Sequence, residues 1–467
     1  MSDYSLLIDG KLVAGDATLD VINPATEELA GTCSRASEAQ LDQAIAAAQA
    51  AAPGWAAKPI AERRAALEGV ADIIAANAQE LGGILTLEQG KPVSEAIAEA
   101  FGLSIFTRHF AGAELPVEIL EDSDARRVEA HRAPLGVVAA IIPWNFPLVL
   151  LGFKFGPALI AGNTLVIKPA PTTPLATLRL GELIADALPP GVVNVIADDN
   201  DLGPILSTHP GIQKVSFTGS TATGARVMAG ASATLKRITL EMGGNDAGLV
   251  LGDVDPKEIA PRLFDSAFAN CGQICIAMKR LYVHEDIHDA VCEELAAVAR
   301  TKKIGNGMEE GTELGPLQNE KQYVRVRELI ADAAEVGTVI AGGTIPEGPG
   351  YFIEPTIIRD LKEGVRLVDE EQFGPALPIL SYSDADEAMD RINQCQEGLG
   401  GSVWGADLAE ATRLAGRMEA GTVWVNKHGD LDPKIPFGGA KQSGIGTELG
   451  QEGVEEFTQL KVINIAL

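Results

Sequence analysis

The sequence predicts an α/β fold with more than one domain, and three observations carry this prediction. The chain has 467 residues, which is more than one hydrophobic core usually organises. From residue 135 onward, short apolar runs alternate with helical segments, as in the βαβ units that build a parallel sheet. A second series of the same kind follows further along the chain. We therefore expect two parallel α/β domains.

Each predicted element rests on a short sequence pattern. The strands of the first half are "GVVAAIIP", "TLVIKP", "VVNVI", "KVSFTG" and "ITLEMG", with "TTPLATLRLGELIADAL" as a helix. In the second half, "RLYVH" and "GTVWVN" predict strands, whereas "IAPRLFDSAFANCGQ" and "DAVCEELAAVARTKK" predict helices. Apolar residues at helical spacing predict helices over 36–100. "AGGTIPEGPGYF" predicts a surface loop, and "LKVINIAL" predicts an edge strand.

Composition and charge exclude several classes of protein. No run approaches the ~18 uncharged apolar residues that a membrane-spanning helix needs. The net charge of −28 argues against a nucleic-acid partner, because phosphate binding requires clustered Lys and Arg. The opening "MSDYSLLIDGKLV" has no leader pattern, and five irregularly spaced cysteines suit a reducing compartment. We therefore expect a cytoplasmic protein with no membrane partner.

Two cysteines lie close together in "FANCGQICIAMKR", namely Cys271 and Cys275. A metal site is disfavoured, because no His or Cys stands at a spacing that completes a tetrahedral set. A thioredoxin-like pair needs two intervening residues, and here there are three. Free cysteines are mostly small buried hydrophobes. Local sequence alone therefore leaves both thiols as core residues or one of them as a nucleophile.

Several polar residues follow predicted strands, where the ligands of parallel sheets bind. Lys168 ends "TLVIKP", while Gly219 and Ser220 follow another strand in "FTGST" and suit either a plain strand-turn-helix or a phosphate site. Glu241 of "LEMGGND" is either a general base or a surface or capping carboxylate. Asn145 of "PWNFP" belongs to a turn, and its amide is also a donor suited to an oxyanion.

Taken together, these segments resemble one family. "PWNFP", "VIKPAPTTP", "FTGST", "LEMGGN", "GQIC", "EEQFGP" and "PFGGAKQSGIG" occur in this order, and they are similar to the motifs of the NAD(P)-dependent aldehyde dehydrogenase superfamily. The resemblance covers nearly the whole chain. It implies oxidation of an aldehyde to a carboxylic acid, with NAD as the expected cofactor, NADP as the alternative, and no metal.

The resemblance assigns catalytic roles to three residues. Cys275 matches the nucleophile whose thiolate attacks the aldehyde and forms a thiohemiacetal. Asn145 and the backbone N–H of Cys275 match the oxyanion hole. Hydride transfer leaves a thioester, and Glu241 matches the base that activates water to hydrolyse it.

The resemblance also assigns residues to the cofactor and the substrate. Those expected at the cofactor are Trp144, Lys168, Gly219, Ser220, Glu371 and Phe373. Those matching the substrate tunnel are Leu150, Phe153, Ile274, Ile276 and Phe437. The tunnel residues are apolar, which favours an aliphatic or aromatic aldehyde over a phosphorylated one. Lys154, His428 and Asp430 lie near these segments, and we expect them at the surface or behind the pocket.

Two departures from the family pattern bear on the cofactor. Many members have Glu three residues after the lysine, where this chain has Pro171; without that carboxylate, the choice between NAD and NADP is less constrained. Acidic residues in "VIADDNDLG", Asp198, Asp199 and Asp201, disfavour NADP if they face the adenosine.

The resemblance further implies the domain organisation. We expect a cofactor domain of residues 1–117 and 135–243 and a catalytic domain of residues 244–441. Residues 118–134 and 442–467 are expected to form a small β oligomerisation arm and the C-terminal segment, and we expect a homodimer or homotetramer. Two alternatives stay open: transfer of the acyl group to coenzyme A, whose enzymes generally lack the base, and a non-catalytic relative, which tends to lose the nucleophile or the base.

Overall fold

The computed structural model describes residues 4–467, so the first three residues of the opening segment lie outside the described residues. Within that range the helices are α1 Glu38–Ala56, α2 Ile60–Ala76, α3 Ala78–Gln89, α4 Val93–Ala111, α5 Pro147–Ile160, α6 Leu175–Ile184, α7 Gly203–Thr208, α8 Thr221–Ser232, α9 Pro256–Phe268, α10 His288–Thr301, α11 Glu320–Ala334, α12 Arg366–Asp369, α13 Ala385–Asn393, α14 Leu408–Ala415 and α15 Gly450–Glu455.

The strands of the same range are β1 Leu6–Ile8, β2 Lys11–Val13, β3 Ala17–Ile22, β4 Leu29–Arg35, β5 Glu118–Asp122, β6 Arg126–Pro134, β7 Val137–Ile141, β8 Thr164–Lys168, β9 Val193–Val195, β10 Lys214–Thr218, β11 Arg237–Glu241, β12 Ala247–Val250, β13 Arg280–His284, β14 Thr338–Ala341, β15 Thr356–Arg359, β16 Ala376–Tyr382, β17 Glu397–Gly398, β18 Gly400–Trp404, β19 Thr422–Val425, β20 Ala440–Lys441, β21 Gly444–Ile445 and β22 Thr458–Ala466.

The first sheet contains the strands predicted in the first half of the chain. Its order is β2-β1-β9-β8-β7-β10-β11-β21, and the five strands β7 to β11 run parallel. Strands β7 to β10 are buried at every residue, as expected of parallel strands packed under helices. Since β7 lies between β8 and β10, the connections from β7 and β10 leave in opposite directions. That reversal opens a crevice at their carboxyl ends.

Helices α1 to α4 confirm the prediction for residues 36–100. The first of them, α1, begins with a capping box in which Ser37 and Gln40 satisfy each other's backbone N–H groups. Its buried Trp55 donates from Nε1 to the Leu159 carbonyl at 3.0 Å, which ties the helix to α5. The apolar faces of these helices join the strands in one hydrophobic core.

The second sheet confirms the second α/β series. Its order is β14-β15-β16-β13-β12-β18-β19, and every pair is parallel except β14 with β15. Separate hydrophobic clusters pack against it. The chain therefore has the predicted α/β fold with two largely parallel sheets.

A small antiparallel sheet, ordered β22-β6-β5, forms the arm. Strands β5 and β6 form a hairpin, and β22 pairs along β6 from Thr458 to Ala466. Strand β22 lies at an edge, as its alternation predicted. Not all of the C-terminal segment belongs to this arm, because β21 pairs with β11 and Leu449, Val454 and Phe457 are buried in the core of the first sheet.

The predicted loop at "AGGTIPEGPGYF" contains no helix and, after Ala341, no strand. Strands β1 to β4 were not predicted, because the sequence patterns did not single out residues 6–35. In the described part of the chain, no helix has the length and apolar character needed to cross a membrane.

Candidate active site

Cys275 lies in the loop between α9 and β13. The chain reaches it through Asn270, Cys271 and Gly272, which all have positive φ, at +47°, +58° and +70°. Gly272 is required here, because a Cβ would lie 2.3 Å from the Gly374 carbonyl oxygen. This tight reversal buries Cys271 but leaves Cys275 half-buried. The two neighbouring thiols are therefore in different environments, which local sequence did not show.

Asn145 meets this loop from the end of β7. Its Nδ2 donates to the Gln273 carbonyl at 3.0 Å, two residues before the cysteine. The Asn145 carbonyl in turn accepts from Lys91 Nζ at 2.9 Å, and the Lys91 ammonium lies 2.6 Å from a Glu99 carboxylate oxygen. Glu99 also accepts from the Leu148 N–H at 2.9 Å. The amide of "PWNFP" is thus held against the cysteine loop by a buried ion pair.

Glu241 ends β11 with a buried side chain. Neither of its carboxylate oxygens has a hydrogen-bond partner among the described residues. Burial raises the pKa of Glu241 well above its usual range, and the nearby Glu448 carboxyl raises it further, whereas the Lys154 ammonium lowers it. The Glu241 carbonyl accepts from the Gly219 N–H at 3.0 Å. The candidate base therefore adjoins the turn expected at the cofactor.

Lys154 and Glu448 form a buried ion pair behind Glu241. Lys154 Nζ donates to Glu448 Oε1 at 2.6 Å and to Thr218 Oγ1 at 2.7 Å. Both charged side chains are essentially inaccessible, at 0% and 1% exposure. Lys154 thus lies behind the pocket, and Glu448 is a site residue that the motifs did not single out.

The crevice at the ends of β7 and β10 is a cavity of about 570 Å³, within the size range of small-ligand sites. Trp144, Lys168, Gly219 and Ser220 line it, together with apolar residues such as Phe217. Ser220 caps α8 by accepting from the Thr223 N–H, so the amino end of that helix faces the cavity. A positive helix terminus and a lysine beside apolar walls fit a dinucleotide.

The acidic segment "VIADDNDLG" divides into two environments. Asp198 is buried, and its Oδ1 lies 2.6 Å from Lys168 Nζ. Asp199 and Asp201 are exposed and pair with Arg35, at 3.7 and 3.0 Å. One carboxylate therefore adjoins the lysine of the cavity, and the other two are engaged at the surface.

Glu371 and Phe373 complete the predicted cofactor set from the second sheet. The Phe373 ring packs edge-on against Trp144, with centroids 5.3 Å apart. Glu371 Oε1 accepts from the Gly244 N–H at 3.1 Å. A Cβ at Gly243 would lie 2.1 Å from Glu371 Oε2, so a side chain at this position would displace the Glu371 carboxylate. The two residues lie between the cavity and the cysteine loop.

The predicted tunnel residues belong to one apolar cluster. Leu150, Phe153, Ile276 and Phe437 are buried in it, and Ile274 and Cys275 are partly buried and pack against it. Behind them, the imidazole of His428 is buried and contacts the Ile276 carbonyl at 2.7 Å. Burial lowers the pKa of His428 to about 4. Asp430 is exposed beside Lys427.

Burial also governs the resting state of the candidate nucleophile. It raises the pKa of the Cys275 thiol to about 12, and the Lys279 ammonium is the group that opposes this effect. Lys279 is a second site residue that the motifs did not single out. The available signal was a lysine directly after the apolar run "ICIAM", and Lys154 likewise stands among apolar residues in "LGFKFGP".

A parallel sheet with a nucleotide-sized crevice at its switch point, beside a loop that presents a cysteine, is the architecture of a nucleotide-binding α/β enzyme. Comparison with known proteins narrows this class. The model of the aldehyde dehydrogenase family matches residues 12–463. The chain belongs to the aldehyde dehydrogenase family and is an oxidoreductase that acts on aldehydes.

Individual relatives agree with this assignment. The chain is similar to phenylacetaldehyde dehydrogenase of Pseudomonas fluorescens, at 39% identity over 99% of this chain and 96% of the relative. The structure of a Bacillus cereus aldehyde dehydrogenase in complex with NAD+ is similar, with a TM-score of 0.97, 35% identity and coverage of 99% and 96%. An NADP-dependent enzyme of E. coli also has a TM-score of 0.97, with 34% identity and coverage of 100% and 98%.

Proposed function

We propose that the chain oxidises an apolar aldehyde to the carboxylic acid, with NAD as cofactor and Cys275 as nucleophile. The observation that carries the proposal is the meeting of two distant segments, in which the Asn145 amide contacts the carbonyl two residues before Cys275 at 3.0 Å. An amide donor beside a half-buried thiol suits attack on a carbonyl. The carboxyl of Glu241, with free oxygens, supplies the base that a later hydrolysis requires.

In the first step the Cys275 thiol loses its proton to water, and the thiolate sulfur attacks the aldehyde carbon to form a thiohemiacetal. The oxygen of the substrate gains negative charge, which the Asn145 Nδ2 and the Cys275 N–H stabilise. For this the Asn145 amide turns from the Gln273 carbonyl to the substrate. A nicotinamide cofactor held beside Glu371 and Phe373 would supply the hydride acceptor, and loss of hydride from the thiohemiacetal would leave a thioester on Cys275.

Hydrolysis then depends on Glu241 as a general base. Burial raises the pKa of Glu241, so ionisation of this carboxyl is a requirement for the activation of water. Within the adjoining ion pair, the Lys154 ammonium favours the ionised form of Glu241, whereas the Glu448 carboxylate opposes it. Water attack on the thioester releases the carboxylic acid and the thiol.

Six residues are proposed to hold the cofactor. Lys168, Gly219, Ser220 and Trp144 line the cavity, while Glu371 and Phe373 extend it towards Cys275. Asp198 supports NAD over NADP, because its carboxylate beside Lys168 would repel a 2′-phosphate.

The substrate is proposed to be an aliphatic or aromatic aldehyde. The side chains of Leu150, Phe153, Ile274, Ile276 and Phe437 are apolar, so these five residues provide no charged group for an anionic substrate. The name of the Pseudomonas fluorescens relative, phenylacetaldehyde dehydrogenase, is consistent with an aromatic substrate.

Five free cysteines support a reducing compartment such as the cytoplasm.

We also propose the domain division given above, with residues 118–134 and β22 forming an arm between subunits of a homo-oligomer. The open edge of β22 and its exposed apolar side chains, Leu460, Val462 and Ile465, support this role. The C-terminal boundary lies nearer to residue 458, since β21 and α15 pack on the first sheet.

The test follows reduced-cofactor formation with a panel of aldehydes in the wild type, Cys275→Ala and Glu241→Gln. Cys275→Ala should lose activity by several orders of magnitude. Glu241→Gln should give an initial burst followed by slow turnover, because only deacylation loses its base. Full steady-state activity in Cys275→Ala would refute the mechanism, and a product that requires coenzyme A would favour the acylating alternative.

A further inference from the structure

Lys279 lies where three segments of the site cross. Its backbone N–H donates to the Asp246 carbonyl at 2.9 Å, and its carbonyl accepts from Gln372 Nε2 at 3.0 Å, next to Glu371. The side chain is 2% exposed and extends back under the cysteine loop. A buried lysine is costly unless its ammonium is fully engaged, so each of its contacts is informative.

The ammonium contacts the peptide units on either side of the nucleophile. Lys279 Nζ donates to the Ile274 carbonyl at 2.8 Å and to the Cys275 carbonyl at 2.6 Å. It also lies 3.5 Å from Glu371 Oε1. The three protons of the ammonium therefore face the nucleophile loop and the carboxylate proposed to hold the cofactor.

The contact with Ile274 determines where the Cys275 N–H points. The Ile274 carbonyl and the Cys275 N–H belong to one planar trans peptide, so they point in opposite directions. With the carbonyl held by Lys279, the N–H is directed away from the lysine. Within residues 4–467 it has no protein acceptor, which leaves this donor free for a substrate oxyanion.

The charge of Lys279 acts on the same cysteine. Three carboxyl groups also face Cys275 and oppose its thiolate when ionised, namely Asp246, Glu241 and Glu371. Burial raises the pKa of each of them and so opposes their ionisation. His428 lies close to Asp246 and is neutral in that range.

We propose that Lys279 is a positioning residue for the reaction, which aims the Cys275 N–H at the oxyanion and supplies the positive charge that favours the Cys275 thiolate. This inference rests on the proposed role of Cys275 as nucleophile. It assigns two separable actions to one side chain, a hydrogen bond and a charge.

Three substitutions separate these actions. Lys279→Met removes both, Lys279→Gln keeps a donor without the charge, and Lys279→Arg keeps both. Lys236→Met is the matched control, because Lys236 is also a buried lysine and donates to the His209 carbonyl at 2.7 Å. It stands directly before the first residue of β11, whereas Glu241 is the last residue of that strand. Folding of each variant is checked by circular dichroism and thermal unfolding.

The first measurement is the rate of Cys275 alkylation without substrate or cofactor, with Cys275→Ala as the background for the other thiols. Lys279→Met and Lys279→Gln should react about tenfold more slowly with iodoacetamide across the neutral range, as for a thiol whose pKa rises by about one unit. In the same two variants, alkylation by the anionic reagent iodoacetate should be slower by a further several-fold, because the positive charge of Lys279 that attracts the anion is gone. Lys279→Arg and Lys236→Met should react at rates close to that of the wild type.

The second measurement is kcat/KM for an aldehyde. Lys279→Met should lose about 100-fold or more, of the order found when an oxyanion donor is lost, and Lys279→Gln should recover part of this loss. Wild-type alkylation rates in Lys279→Met and Lys279→Gln would overturn the inference, as would an equal slowing of both reagents, which indicates a loss of access. If Cys275→Ala keeps full activity, the proposed function itself fails, whatever Lys279 does.

Discussion

The Lys154–Glu448 pair gives the sharpest prediction about the hydrolytic step. Lys154→Met leaves Glu448, a carboxylate with 1% exposure, without its cation. Removing one partner of a buried ion pair costs about 3–5 kcal/mol, and full burial means that solvent screening does not reduce this figure. We therefore expect a marked fall in the denaturation midpoint.

The same substitution should change the pH dependence of turnover. Glu241 acts as a base only when it is ionised, and Lys154 is the group that lowers its pKa. Without that charge the pKa rises further, and each additional unit reduces the ionised fraction tenfold at any pH below it. Turnover limited by hydrolysis should therefore rise with pH in the wild type. In Lys154→Met the same rise should occur about one pH unit higher.

The assay is pre-steady-state reduced-cofactor formation from pH 6 to 9. Lys154→Met should keep the initial burst and lose steady-state rate about tenfold near neutral pH. Lys214→Met is the matched control, because Lys214 is also a buried lysine and contacts Thr239 and Glu456. Lys214 is the first residue of β10, whereas Lys154 contacts Thr218 at the end of that strand. Lys214→Met should lose stability without moving the pH profile. An unchanged profile in Lys154→Met, or the same shift in both variants, would refute the reasoning.

Three further predictions concern the cofactor and the arm. Asp198→Asn should improve the affinity for NADP relative to NAD about tenfold, or about 1.4 kcal/mol, in fluorescence titrations of cofactor binding; an unchanged ratio contradicts a selective role. Gly243→Ala should weaken NAD binding about tenfold in the same titration, because the new Cβ would lie 2.1 Å from Glu371 Oε2 and displace that carboxylate. Wild-type affinity in this variant would place the Glu371 carboxylate outside the cofactor site. Val462→Lys, at a side chain with 54% exposure, should lower the molar mass measured by light scattering, and an unchanged mass would exclude β22 from the subunit interface.

The sequence was most informative where burial is continuous along a segment. Strands β7 to β10 are buried at every residue, so their apolar runs and the helical spacing between them sufficed to predict a parallel sheet. The short strand β1 was not predicted, because its place depends on pairing Leu7 with Val195 across most of the cofactor half of the chain. Such a partner is not visible in a three-residue strand.

For the site, the motifs pointed to the residues proposed to contact ligands and missed the buried charges around them. Asn145 and Cys275 stand in distinctive segments, and the structure brings those segments together. Glu448 and Lys279 stand in ordinary segments, and only folding shows that their charges are buried. Asp198 shows the same limit, since its effect on the cofactor depends on which way it faces, and the structure pairs it with Lys168.

The buried lysines connect these observations. The chain carries a net charge of −28, yet buried ammonium groups of Lys154, Lys168 and Lys279 are each placed beside a carboxylate of the proposed site. If charge neutralisation were their only role, each substitution by Met would have one shared effect, a loss of stability. The geometry instead gives each lysine a different neighbour. Lys168 lines the cofactor cavity, Lys279 contacts the nucleophile loop, and Lys154 lies close to the carboxyl of Glu241. Removing them should therefore separate cofactor binding, acylation and deacylation, and a common phenotype would mean that the three pairs serve the fold alone.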